Sequence, residues 1–101
     1  MSNATVKVVA RLTARPDQVL ELQALLQSLL EPTRKEAGCV SYELLWNRTD
    51  LADFTFVEEW ADAAALDAHL MTPHVQNALA QAQSLLAIAP DIRRYTTLGS
   101  A

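Results

Sequence analysis

Cysteine, glycine and runs of basic residues are all scarce in this sequence, and each scarcity removes a class of function. Cys39 is the only cysteine, so the chain forms no internal disulfide and builds no thiolate cage around zinc. Placed where a strand should start, it reads as a small buried residue. Only Gly38 and Gly99 are present, which leaves no glycine-rich phosphate cradle, no dinucleotide fingerprint and no G-x-S-x-G nucleophile elbow. The net charge is −4, without a basic run, so phosphate backbones and anionic membrane surfaces are poor partners. No apolar run approaches the ~18 residues that span a bilayer, and the opening M-S-N-A-T-V-K-V-V-A lacks the charged-then-apolar layout of an export signal. The expectation is a cytoplasmic protein with neither nucleic acid nor membrane as a partner.

What is present is apolar and strongly patterned. Half of the 101 residues are hydrophobic and a fifth are charged, which suits one packed domain over 1–101, with a single sheet and one helical layer. Thr5 to Thr13 alternates, with Val6, Val8, Ala10 and Leu12 on one face, and predicts strand one. Pro16 suits a first helical position, and Val19, Leu22, Leu26, Leu29 and Leu30 recur at helical spacing, predicting a helix over about 16–30. Pro32 then predicts a kink or a fresh turn through Thr33, Arg34, Lys35 and Glu36, closed by Gly38 as a left-handed cap.

Period two returns from Cys39, with Val40, Tyr42, Leu44 and Trp46 on one side. The polar run Asn47-Arg48-Thr49-Asp50 turns the chain into a second alternating strand from Phe54 to Trp60, in which Phe56, Glu58 and Trp60 share a face. Asp62 is a candidate N-cap for a helix over Ala63 to Met71. Thr72-Pro73 interrupts that helix, and a continuation carries Val75, Leu79, Ala82, Leu85 and Leu86 as its apolar stripe. Asp91 to Leu98 predicts a final strand. The order β-α-β-β-α-β implies an α+β, ferredoxin-like fold, a four-stranded antiparallel sheet with both helices on one face. The other face mixes Val9, Leu45, Val57 and Tyr95 with polar residues, too apolar to leave to water, so a homodimer joined through that sheet face is expected.

The candidate chemistry sits where the second hairpin strand meets the second helix. Glu58 is an acid on an otherwise apolar strand face, either a buried hydrogen-bonding post or a proton acceptor. His69 follows Leu66 by three residues, which turns its ring toward the sheet. It is either a base or a core histidine bonded to Glu58 or to a backbone carbonyl. Tyr42 and Trp60 either hold a flat aromatic substrate or simply pack the core. His74, near the start of the second helical segment, either helps hold an anionic group or is solvated, and Arg34 and Arg94 are possible anion partners on the same terms. His69 and His74 are five apart, on different helical faces, and flank a proline, unlike the i, i+4 spacing that binds zinc. Neither a metal site nor a cofactor is expected.

The stretches T-R-K-E-A-G-C-V-S-Y-E (Thr33 to Glu43) and E-E-W-A-D-A-A-A-L-D-A-H-L-M-T-P-H (Glu58 to His74) resemble the antibiotic biosynthesis monooxygenase domain family, the dimeric α/β-barrel group that includes quinol monooxygenases. The resemblance covers nearly the whole chain, through E-x-W-x-D, A-L-x-x-H and T-P-H in that order. It implies a dimer whose two sheets form a barrel, with one pocket per subunit between sheet and helices. Haem-degrading members characteristically use an Asn, a Trp and a His, and Ala10, His69 and Leu79 stand at those places here, so haem is not implied. The implied activity is cofactor-independent oxidation of a small phenolic or quinol-like substrate by O2. His69 and Glu58 would then be catalytic, and Tyr42, Trp60 and His74 would bind substrate. Proton transfer without oxygen, as in an isomerase or lyase, and a non-catalytic dimer that binds a small ligand are the other readings.

Overall fold

A computed structural model describes residues 5–100. Residues 1–4 and 101, which the single-domain assignment and the reading of the N-terminus also take in, lie outside the described residues. The elements are β1 (Val6–Thr13), α1 (Val19–Gln27), α2 (Leu30–Arg34), β2 (Cys39–Trp46), β3 (Asp53–Trp60), α3 (Ala63–Leu70), α4 (Pro73–Ala82) and β4 (Asp91–Tyr95). The strands form one antiparallel sheet in the order β2-β3-β1-β4. This is the ferredoxin-like α+β arrangement, with each helical crossover broken in two. No helix among the described residues is long and apolar enough to cross a membrane.

The alternation of the strands decides which face the helices cover. Register pairs Val8 with Glu58, Ala10 with Phe56 and Leu12 with Phe54, and all six are buried. Leu22, Leu26 and Leu29 come down on them from the first crossover, and Leu66, Ala78 and Ala82 from the second. Burial of side chains of this size is worth roughly 1.5–3 kcal/mol each for the larger ones, so this layer supplies most of the driving force for folding. Asp62 caps α3 as expected, accepting the Ala65 N–H at 2.8 Å.

Four local expectations are corrected. Pro16 does not open the first helix. Residues 15–18 form a β-turn closed by Gln18 N–H to the Arg15 carbonyl at 2.9 Å, with Pro16 at its second position, because Arg15 is still held to the Leu85 carbonyl. Pro32 lies inside the first turn of α2, where its missing N–H costs nothing. The break comes earlier, at Ser28, the residue whose carbonyl a proline four places on would strike. Val40 is not on the Tyr42 face. A bulge between Cys39 and Ser41 turns it outward, 56% exposed, and puts Cys39 opposite Trp60. The last strand ends at Tyr95, not Leu98, since β1 extends only one residue beyond the Lys7–Tyr95 pair and the ladder runs out of partner.

Gly38 closes the first crossover with φ +85°, as its place in the sequence suggests. Its carbonyl accepts the Ala61 N–H at 2.8 Å, tying the loop to the end of β3. A Cβ at this position would lie 2.5 Å from the Ala65 Cβ on α3. Gly38→Ala therefore combines a left-handed backbone penalty with a clash, and should destabilise by about 2 kcal/mol or more. Gly99, where an added Cβ meets nothing within 4 Å, is the control: Gly99→Ala should leave the urea midpoint unchanged while Gly38→Ala lowers it.

Candidate active site

The core is not filled completely. Between the sheet and the helices lies a cavity of about 60 Å³, walled by apolar side chains of β1, β3, α1, α3 and α4. Three polar residues break that wall: Tyr42, Glu58 and His69. Strand register places the first two, because Tyr42 lies opposite Glu58 across β2 and β3. Helical phase places the third, since His69 lies one turn after Leu66 on the buried side of α3, 3% exposed.

His69 is oriented by a residue that sequence reasoning did not single out for the site. Its Nδ1 lies 2.9 Å from Glu36 Oε2, and a carboxylate only accepts, so Nδ1 carries the proton and Nε2 keeps the lone pair. Burial pushes the His69 pKa below its ordinary value, and Glu36 opposes that shift. At neutral pH the ring is therefore an uncharged base on the cavity wall. Trp60 and Tyr42 fix its tilt, with ring centroids 4.5 Å and 5.5 Å from that of His69.

The expectation that Glu58 holds His69 is thus corrected. Glu58 instead accepts the Trp60 indole N–H at 2.9 Å, as two residues on one face of β3 can. Its pKa is pushed up to about 7, chiefly by burial, against the pull of that hydrogen bond. Tyr42 is raised above the ordinary phenol range by burial and then by the Glu58 carboxylate, so its hydroxyl remains a donor. The cavity thus offers a neutral base, a carboxyl group near the midpoint of its titration and a phenol that keeps its proton.

Two predicted binding residues are elsewhere. Trp60 is fully buried behind the cavity wall and has no free face for a substrate. His74 also lies off the cavity and donates from Nε2 to Glu36 Oε2 at 2.7 Å. The expectation that His69 and His74 diverge is corrected as well, since the turn at Thr72 brings both rings to one carboxylate. The Thr72 hydroxyl stabilises that turn by donating to the His69 carbonyl at 2.7 Å. Neither arginine serves as a free anion partner. Arg34 donates to the Tyr42 carbonyl from Nε and Nη2, and Arg94 pairs with Asp67 at 2.7 Å.

Comparison with other proteins places the chain in a family. Residues 5–81 match the model of the family described as antibiotic biosynthesis monooxygenase. The chain belongs to that family. It is 41% identical over 81 residues to "Putative monooxygenase Rv0793" of Mycobacterium tuberculosis, covering 80% of this chain and 79% of that protein. The solved structure of Rv0793 superposes with a TM-score of 0.90 at 35% identity, covering 96% of this chain and 98% of that one. A Pseudomonas aeruginosa structure, PA3566, gives a TM-score of 0.91 at 31% identity over 98% and 99% of the two chains. An uncharacterized Synechocystis protein, sll1783, is 36% identical over 88 residues, 87% of this chain and only 60% of its own length. The chain therefore spans less than two thirds of that relative.

The position of Glu58 generates a stability prediction for this family member. Its folded pKa of about 7 stands above the ordinary 4.5, so from pH 4.5 to 7 the folded protein keeps a proton that the unfolded chain releases. Stability is then fullest below pH 4.5 and falls as pH rises through 7, by on the order of 3 kcal/mol. Glu58→Gln cannot ionise and should flatten this part of the profile, gaining on the wild type at pH 8 but not at pH 4. Urea unfolding across that range checks it.

Proposed function

We propose that the protein is a cofactor-independent monooxygenase that oxidises a small phenolic or quinol-type substrate with O2. The observation that carries this reading is a neutral imidazole, His69, held by Glu36 on the wall of an apolar cavity. In that setting His69 Nε2 takes the phenolic proton, and the imidazolium it becomes is stabilised by the Glu36 carboxylate. The electron-rich anion then reduces O2 with its own electrons. One oxygen atom enters the ring and the other leaves as water with two of the substrate's hydrogens, while the ring gives up four electrons and ends as a quinone, so no outside reductant is needed. Tyr42, still protonated, donates a hydrogen bond to an oxygen of the substrate, and the apolar walls keep water from the charged intermediate. Family membership and the name of the mycobacterial relative support oxygenase chemistry.

The same reading includes a homodimer joined through the open sheet face. Leu45 and Tyr95 are both close to half exposed there, and a second copy is the economical cover for such a surface. One observation favours a second reading, an isomerase. Glu58 and His69 border one cavity, and two proton-transfer groups of different acidity are what a shift of hydrogen between neighbouring carbons requires.

Oxygen uptake with a panel of quinols and phenols, in the presence of a chelator, tests the proposal. Turnover should persist with the chelator, require O2 and fall by roughly 10²–10⁴ in His69→Ala, the range for loss of a general base. Glu36→Gln should lose less. Uptake indifferent to His69 removes the base, and product formed without oxygen transfers the case to the isomerase.

A further inference from the structure

We propose that Glu36, His69 and His74 form a binding site for a first-row divalent metal ion such as zinc or iron(II), with one carboxylate oxygen and two imidazole nitrogens as donors. This inference does not rest on the oxygenase reading. The three residues come from the loop after α2, from α3 and from the first turn of α4, and their ligating atoms all lie within 4.8 Å of one another. Metal–nitrogen and metal–oxygen bonds of about 2.1 Å place donors at adjacent corners of an octahedron roughly 3 Å apart. Two edges of the triangle already have that spacing: His69 Nδ1 to Glu36 Oε2 at 2.9 Å and His74 Nε2 to the same oxygen at 2.7 Å. The remaining edge closes by a swing of His74, whose side chain is the most exposed of the three at 26%.

Charge argues in the same direction. The Glu36 side chain is only 14% exposed, and no Lys or Arg pairs with it among the described residues. The two basic residues before it in the chain are engaged elsewhere, Arg34 with the Tyr42 carbonyl and Lys35 with Glu31. Both histidines crowd one oxygen, while Oε1 accepts no hydrogen bond among the described residues. A dication would neutralise this shielded carboxylate. Two imidazoles and one carboxylate are also the donor set of zinc hydrolase centres and of non-haem iron(II) sites, in which the remaining positions stay open. A metal on His69 Nδ1 leaves the ring proton on Nε2. The form with His69 as a base is therefore the metal-free one, and a bound ion would switch that base off.

Chelator-stripped protein, without a histidine tag, can be titrated with Co(II) by visible absorption and with Zn(II) by equilibrium dialysis and elemental analysis. The expected result is one ion per chain, with affinity reduced roughly tenfold or more in each of Glu36→Gln and His74→Ala. Circular dichroism establishes that each variant is folded. A readout on the wild type needs no variant: the imidazole ¹⁵N shifts of both histidines should move together on addition of Zn(II). No stoichiometric binding, binding unchanged in both variants, or histidine shifts that do not respond would overturn the site.

Discussion

Burying His69 strips its ring of water, and a polar nitrogen in that position has to find a partner inside the protein. The Glu36 carboxylate is that partner, 33 residues earlier in the chain, and much of the architecture serves to bring it there. Gly38 bends the loop in a left-handed turn and lets it lie directly against Ala65 on α3. The Cys39 N–H bonds back to the Glu36 carbonyl at 3.2 Å, and the Gly38 carbonyl holds Ala61. Loop, strand end and helix are thereby locked into one corner. Any larger side chain at 38 would meet the Ala65 Cβ and force loop and helix apart.

Trp60 connects this corner to the second titratable group. Its indole N–H satisfies Glu58, and its ring lies beside the imidazole of His69. One buried side chain thus holds two proton-transfer groups at a fixed separation without itself reaching the cavity. Tyr42 completes the arrangement, stacked on Phe56 at 4.8 Å and packed edge-to-face with His69 at 5.5 Å. A carboxyl with a pKa of about 7 and a neutral imidazole are costly things to bury, and the aromatic packing around them offsets that cost.

The sheet was largely legible because side-chain alternation is a local property. Val8, Ala10, Phe56 and Glu58 could be assigned to one face from spacing alone, and the structure pairs them across β1 and β3. The Asp62 cap was readable for the same reason, as a short-range hydrogen bond. Departures arose where a neighbour distant in sequence decides. The Val40 bulge depends on how β2 meets β3, and the start of α1 depends on Arg15 being tied to Leu85. Nothing near Glu36 in the chain marks it: a solvated turn residue and a buried histidine's partner look alike until the fold closes. Helical spacing misplaces His74 relative to His69, because the helix stops and restarts at Thr72-Pro73.

The size of the cavity bears on how such a site would be used. At about 60 Å³ it is well below the roughly 150 Å³ that accepts benzene in an apolar core, so an aromatic ring enters only if part of the wall moves. The sheet cannot yield, since its strands are hydrogen-bonded on both sides at β1 and β3. Helix α4 can. It presents Val75, Ala78 and Ala82 to the core, two of the three too small to interlock deeply, and it packs against α1 and α3. Half-buried Leu79 and the 44%-exposed Ile92 of β4 line the cavity beside it. An outward shift of α4 would enlarge the cavity without disturbing the sheet that holds Tyr42 and Glu58. The same helix carries His74 in its first turn, so such a shift would have to stretch the 2.7 Å contact between His74 and the carboxylate that also holds the buried imidazole.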